Sequence, residues 1–178
     1  MAERRYKFTW DFIGNVETGR PNLGLLVPVE LYRLFQYTMR DVLEERLGTD
    51  EADLMLYKAG FLGGREFFKR YVAPCENLTE FVSKCKAAMA EKKMGIMRVE
   101  AADPGSMEFT IAVSEDLDCS GLPELSHGVC NYDEGFIAGL LEAFTNKKFD
   151  VREVDCWCTG DRVCRFSARL AGEQEHGA

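Results

Sequence analysis

Histidine is nearly missing from this chain: 178 residues contain two, His127 and His176. No conventional acid–base set stands out in its place, so no residue is assigned a catalytic role. A Gly-x-Gly-x-x-Gly nucleotide fingerprint is also missing, which removes the usual source of hydride. Long apolar runs are absent. The longest, residues 23–29, holds a Gly and a Pro and falls far short of the roughly 20 residues a membrane helix needs. The N-terminus is charged and then aromatic, unlike a signal peptide, so the chain is expected to stay in the cytoplasm. Positive charge is scarce: 22 Lys and Arg stand against 30 Asp and Glu, for a net charge of −8. Nucleic-acid affinity rests on clustered Lys and Arg, so that partner is excluded. No repeat or low-complexity linker divides the chain, and its length suits one domain with its own core.

Cysteine, by contrast, is plentiful, and five of the seven fall between 119 and 164. In a reducing compartment, clustered cysteines read as metal-binding or reactive before they read as disulfides. The spacing Cys130-x25-Cys156-x7-Cys164 is not a zinc ribbon, which would show two short Cys-x2-Cys pairs. It does place three thiols at the ends of expected elements, where elements can converge on one point. Several thiolates select zinc, iron or copper(I) over magnesium or calcium. Cys119 is the leading fourth ligand, because the loop 116–129 is long enough to fold back toward Cys130. Glu108, Glu115, His127 and Cys158 are weaker candidates; Cys158 reads as two residues along a strand from Cys156 and on the same face.

Tyr6, Phe8, Trp10 and Phe12 alternate with polar residues, as in an edge strand or an arm with one buried face. Residues 1–19 are therefore set apart, and 14–24 read as loop. A helix should start near Pro28 and stop at Gly48. A second, over 52–72, starts from an Asp50 cap and carries Gly60, Gly63, Gly64 and Phe67 on one face. Three glycines on one helix face imply close backbone approach by another helix or by a ligand. Asn77-Leu-Thr-Glu80 has the spacing of a capping box for a third helix, with Phe81, Cys85, Ala88 and Met89 inward. Strands follow at 95–101 and 107–114 around Asp103-Pro-Gly-Ser, then a helix over 131–145 and strands at 149–157 and 163–170. The fold class is α+β: an antiparallel sheet of about four strands with about four helices, over 20–170, before a disordered tail at 171–178.

The end of the chain, Cys156-Trp-Cys158-Thr-Gly160-Asp161-Arg-Val-Cys164-Arg-Phe166, resembles the vinyl-4-reductase domain family. It matches the family's Cys-x-x-x-Gly-[Asp or His]-x-x-Cys-x-[Phe or Ile] ending. Upstream, Cys130, the glycine pair of Gly135-Phe-Ile-Ala-Gly139 and the strand 151–156 complete the signature. The resemblance implies the α+β fold shared with subunits of a vesicle-tethering complex, assembled as a homodimer through helices. It also implies kinship with sensory domains of phenol-responsive activators, which hold small aromatic molecules beside a zinc bound by three cysteines and one glutamate. Cys130, Cys156 and Cys164 match those cysteines, while the glutamate has no clear match. Other relatives accompany bacteriochlorophyll biosynthesis, which adds a tetrapyrrole as a candidate ligand.

The expected function is a stand-alone ligand-binding module, sensor or carrier, with structural zinc at Cys119, Cys130, Cys156 and Cys164. Tyr57, Phe61, Phe68 and Phe109 are the candidate residues for a hydrophobic or aromatic ligand, with the second helix facing the strand of Phe109. The alternatives are redox or iron chemistry at the thiolates, with Cys158 as an extra thiol, a tetrapyrrole vinyl reductase, or a structural dimer scaffold.

Overall fold

Local hydrogen bonds decide the start of the chain. In the computed structural model, which describes residues 5–172, Trp10–Ile13 coils into a 3-10 turn. The Phe12 N–H donates to the Thr9 carbonyl and the Gly14 N–H to the Asp11 carbonyl, both at 3.0 Å. The alternating aromatics therefore form no strand among the described residues. A period-two pattern makes a strand only where a neighbouring strand takes up its backbone groups, and here the turn does so instead. The rings of Tyr6 and Phe12 meet at 4.6 Å. Residues 1–4 lie outside the described residues, as do 173–178 of the expected tail. A single turn, α1 (Val16–Gly19), interrupts the expected loop because Asn15 caps it, accepting the Thr18 N–H at 3.0 Å.

The contacts divide the chain into two units, Met1–Asp41 and Val42–Ala178. α2 (Val29–Leu47) starts directly after Pro28, runs across that division and buries none of its residues. Its apolar positions Leu31, Leu34, Phe35, Met39 and Val42 are exposed.

The second unit holds the rest. α3 (Thr49–Phe67) begins at Gly48, whose φ of 83° turns the chain out of α2, rather than at an Asp50 cap. Asp50 and Glu51 lie in its first turn, where acids suit the helix dipole. A π turn over Phe68–Val72 carries it on to Pro74. α4 (Leu78–Glu91) is capped by Asn77, which accepts the Glu80 N–H at 3.0 Å. The box is modified, because the Glu80 carboxylate accepts the Glu76 N–H at 2.8 Å. Phe81, Cys85, Ala88 and Met89 are buried as expected.

Four strands follow: β1 (Ile96–Asp103), β2 (Glu108–Ser114), β3 (Phe149–Asp155) and β4 (Cys164–Leu170). They form one antiparallel sheet in the order β1-β2-β4-β3. Asp103 shapes the first hairpin by accepting the Gly105 N–H at 2.8 Å. Between β2 and β3 comes α5 (Asn131–Thr145), whose residues 134–141 are all buried. It packs along α3 and against β3.

Glycines set the spacing of α3 and α5. A Cβ on Gly60 or Gly64 would run into the backbone carbonyls of Tyr132 or Phe136. One on Gly135 or Gly139 would meet those of Tyr57 or Phe61. The close approach implied by the α3 glycines is thus made by a helix.

Candidate metal centre

Each cluster cysteine is delivered by a different device. Cys130 is the residue before α5, Cys156 ends the β3 arm, and Cys164 opens β4. Cys119 lies in the loop after β2, where Asp116 fixes it: the carboxylate accepts the backbone N–H of Asp118 at 2.8 Å and of Cys119 at 3.1 Å. Two further bonds hold this loop on the turn after β3. The Trp157 indole N–H donates to the Leu122 carbonyl at 3.1 Å, and the Leu125 N–H to the Cys158 carbonyl at 2.6 Å.

The four sulfurs of Cys119, Cys130, Cys156 and Cys164 lie within 4.8 Å of one another, all buried. Cys130 Sγ is 3.8 Å from Cys156 Sγ and 3.9 Å from Cys164 Sγ. A tetrahedral ion with metal–sulfur bonds of about 2.3 Å has sulfur–sulfur edges of about 3.8 Å. The Cys119–Cys164 edge is tighter, at 3.0 Å. The group could therefore hold a metal ion, and its electrostatics favour one. Contacts with Cys119, Cys130 and Cys164 lower the pKa of Cys156. Contacts with Cys119, Cys156 and Cys164, together with burial, push Cys130 up. Several thiolates so close together need a cation to coexist.

Cys158 is not on a strand. It sits in a 3-10 turn, Trp157–Thr159, held by the Thr159 N–H on the Cys156 carbonyl at 3.0 Å. Cys156 and Cys158 are consequently not strand neighbours on one face, and Cys158 is not in the four-sulfur group. Burial and the charge of Cys156 push its thiol up to about 12. Glu108, Glu115 and His127 are exposed and not part of the group.

Glu153 was missed in the sequence. Its carboxyl lies beside Cys130, Cys156 and Cys164, and burial, then the Cys156 charge, push it up to about 8. Its Oε1 is buried with no hydrogen-bond partner among the described residues. One signal was available: Glu153 follows Phe149 and Val151 at strand period two, on the face that points inward. Its backbone N–H donates at 2.7 Å to Glu134, a buried carboxylate of α5.

The four aromatic candidates each have different neighbours. Tyr57 lines a cleft of about 430 Å³ with Asp50, Asp53, Glu134 and Asp150. Phe61 lies under the Arg65 guanidinium at 5.9 Å. Phe68 packs on Phe81 at 6.1 Å, and Phe109 on Phe149 at 6.0 Å. The principal partner of α3 is α5, not the strand of Phe109.

The segment from β2 to β4 contains all four clustered cysteines. Residues 109–170 match the V4R domain family. The likeness read from the cysteine motif is thereby shown. The chain is 28% identical over 153 residues to an uncharacterized protein, MJ1642, of Methanocaldococcus jannaschii, covering 86% of this chain and 84% of that one. Its fold is similar to the phenol-responsive sensory domain of the transcription activator PoxR, solved with phenol. That likeness has a TM-score of 0.66 and 16% identity, over 85% of this chain and 79% of PoxR's. It is also similar to a trafficking protein particle complex subunit 3 of Naegleria fowleri covalently bound to palmitic acid. There the TM-score is 0.62 with 17% identity, over 80% of this chain and 95% of the subunit. At these identities the two structures establish the fold of the V4R segment and its helices. Among the described residues no helix is long and apolar enough to cross a membrane.

Proposed function

We propose that this chain is a small-molecule-binding domain, a sensor or carrier, pinned by zinc at Cys119, Cys130, Cys156 and Cys164. The observation that carries the metal half is the gathering of four buried thiols from a loop, a helix start and two strand ends. Four protein ligands close the shell and leave no position for an activated water, so the metal's role is structural. Its binding energy then appears as folding energy. Glu153, whose carboxyl lies beside three of the thiols, is a reserve donor.

The ligand half rests on the V4R match and on the compounds held by the PoxR domain and the trafficking subunit. The ligand class is hydrophobic or aromatic, a tetrapyrrole included, and Tyr57, Phe61, Phe68 and Phe109 are the residues proposed to meet it. Native mass spectrometry of gently purified protein, followed by melting curves with phenol, palmitic acid and a divinyl tetrapyrrole, tests this. A retained organic mass or a clear rise in melting temperature with one probe is expected. Neither, with all three probes, would overturn the ligand half.

The redox alternative keeps one point in its favour, a further buried thiol, Cys158, in the turn that follows Cys156. An iron site would colour the protein, whereas a zinc thiolate site is colourless.

The exposed apolar side of α2 fits the homodimer expected from the family. Light scattering should give twice the chain mass for the wild type and a single mass for Phe35→Glu. A wild type of single mass at micromolar concentration would contradict the dimer.

A further inference from the structure

Beside the four thiols lies a second set of converging donors. The carboxylates of Asp116 and Asp133 and the sulfur of Cys130 lie within 4.8 Å of one another. Cys130 and Asp133, three apart at the start of α5, share one face of the helix, and Asp116 approaches from the loop after β2. An independent observation points to a ligand there. Asp133 Oδ2 is sealed from solvent and has no hydrogen-bond partner among the described residues. A buried carboxylate is retained when it is paired or coordinates a metal.

We propose that Asp116, Asp133 and Cys130 form a second cation site, with the Cys130 thiolate shared between it and the ion of the four-cysteine centre. The inference rests on the reading of the four thiols as a metal site. A donor set of two carboxylate oxygens and one thiolate suits a borderline divalent transition ion such as zinc, iron(II) or cobalt(II), and not calcium or magnesium. Three protein donors leave one tetrahedral position for water or for a donor atom of a bound molecule. The first ion closes the fold, and the second stands beside it with an open position.

The test is an anaerobic titration of reduced, chelator-stripped full-length protein with cobalt(II), followed by visible spectroscopy. The wild type should saturate at two equivalents per chain. Asp133→Asn should saturate at one and keep the intense sulfur-to-cobalt bands of the four-thiolate centre. A wild type that saturates at one equivalent, or an Asp133→Asn protein that still takes two, would overturn the second site and leave the first standing. No uptake by the wild type would sink both. If Asp133→Asn does not fold, as judged by circular dichroism, the wild-type stoichiometry and an Asp116→Asn variant decide alone.

Discussion

Cys156→Ser and Cys164→Ser should each lose the metal and lower the melting temperature by about 10 °C or more, whereas Cys85→Ala should keep its full metal content. The reasoning runs from position to energy. Cys156 follows the end of β3 and Cys164 opens β4, so the sulfur cluster ties the β3–β4 connection to the start of α5. Without a cation, three or four thiols and the Glu153 carboxyl are buried against one another, and each must stay protonated or repel its neighbours. Cys85 is equally buried, but it lies in α4 outside the cluster, with its thiol pushed up to about 12 by burial. It behaves as a small apolar core residue, and its truncation should cost about 1 kcal/mol. Cys119→Ser should be the mildest of the cluster variants, because Glu153 stands ready to complete the shell. Metal content by elemental analysis, read beside thermal melts, checks all four. Equal metal in all four variants would refute the assignment.

Gly135→Ala should destabilise the protein by about 3 kcal/mol, a large effect for a single methyl group. Its Cβ would meet the carbonyl of Tyr57 and the backbone nitrogen of Phe61, which are parts of a helix and cannot rotate away. Gly63→Ala is the informative partner. There the nearest atom is the Tyr132 hydroxyl, the far end of a side chain that can swing aside. Its cost should be well under half of that for Gly135→Ala. Urea denaturation of the two variants measures the difference. A loss below about 0.5 kcal/mol for Gly135→Ala would mean that α3 and α5 part easily, and that the contact of their backbones does not hold the unit together.

The parts of the fold that were legible are those whose signals are local and unopposed. α5 runs from Asn131 to Thr145 as its apolar periodicity and flanking residues imply, and the Asp103 turn joins β1 and β2 as its chemistry demands. The start of α3 was misjudged because Asp50 is good cap chemistry, yet Gly48 had already turned the chain. The aromatic alternation near the N-terminus misled for a related reason. Period two is a property of side chains, and it cannot announce whether a second strand will be there to pair.

The candidate site shows the same division. Cys130, Cys156 and Cys164 were legible because element ends bring thiols together whatever the loops do. Cys119 was found from loop length alone, and the structure brings it within the sulfur group. Glu153 and the Asp116–Asp133 pair were not found, since a carboxylate on a strand, a loop or a first helical turn looks like any surface acid until the neighbouring elements are in place. Cys158 was misplaced because the strand was carried two residues too far, through a turn closed by Thr159.

Elemental analysis with a visible spectrum, on protein expressed without added metal, tests the central claim most directly. The account predicts at least one zinc per chain and no visible absorption. Folded protein with no transition metal would contradict the stapled centre outright. Iron with visible absorption would contradict the structural role and make the thiolates the reactive part of the molecule.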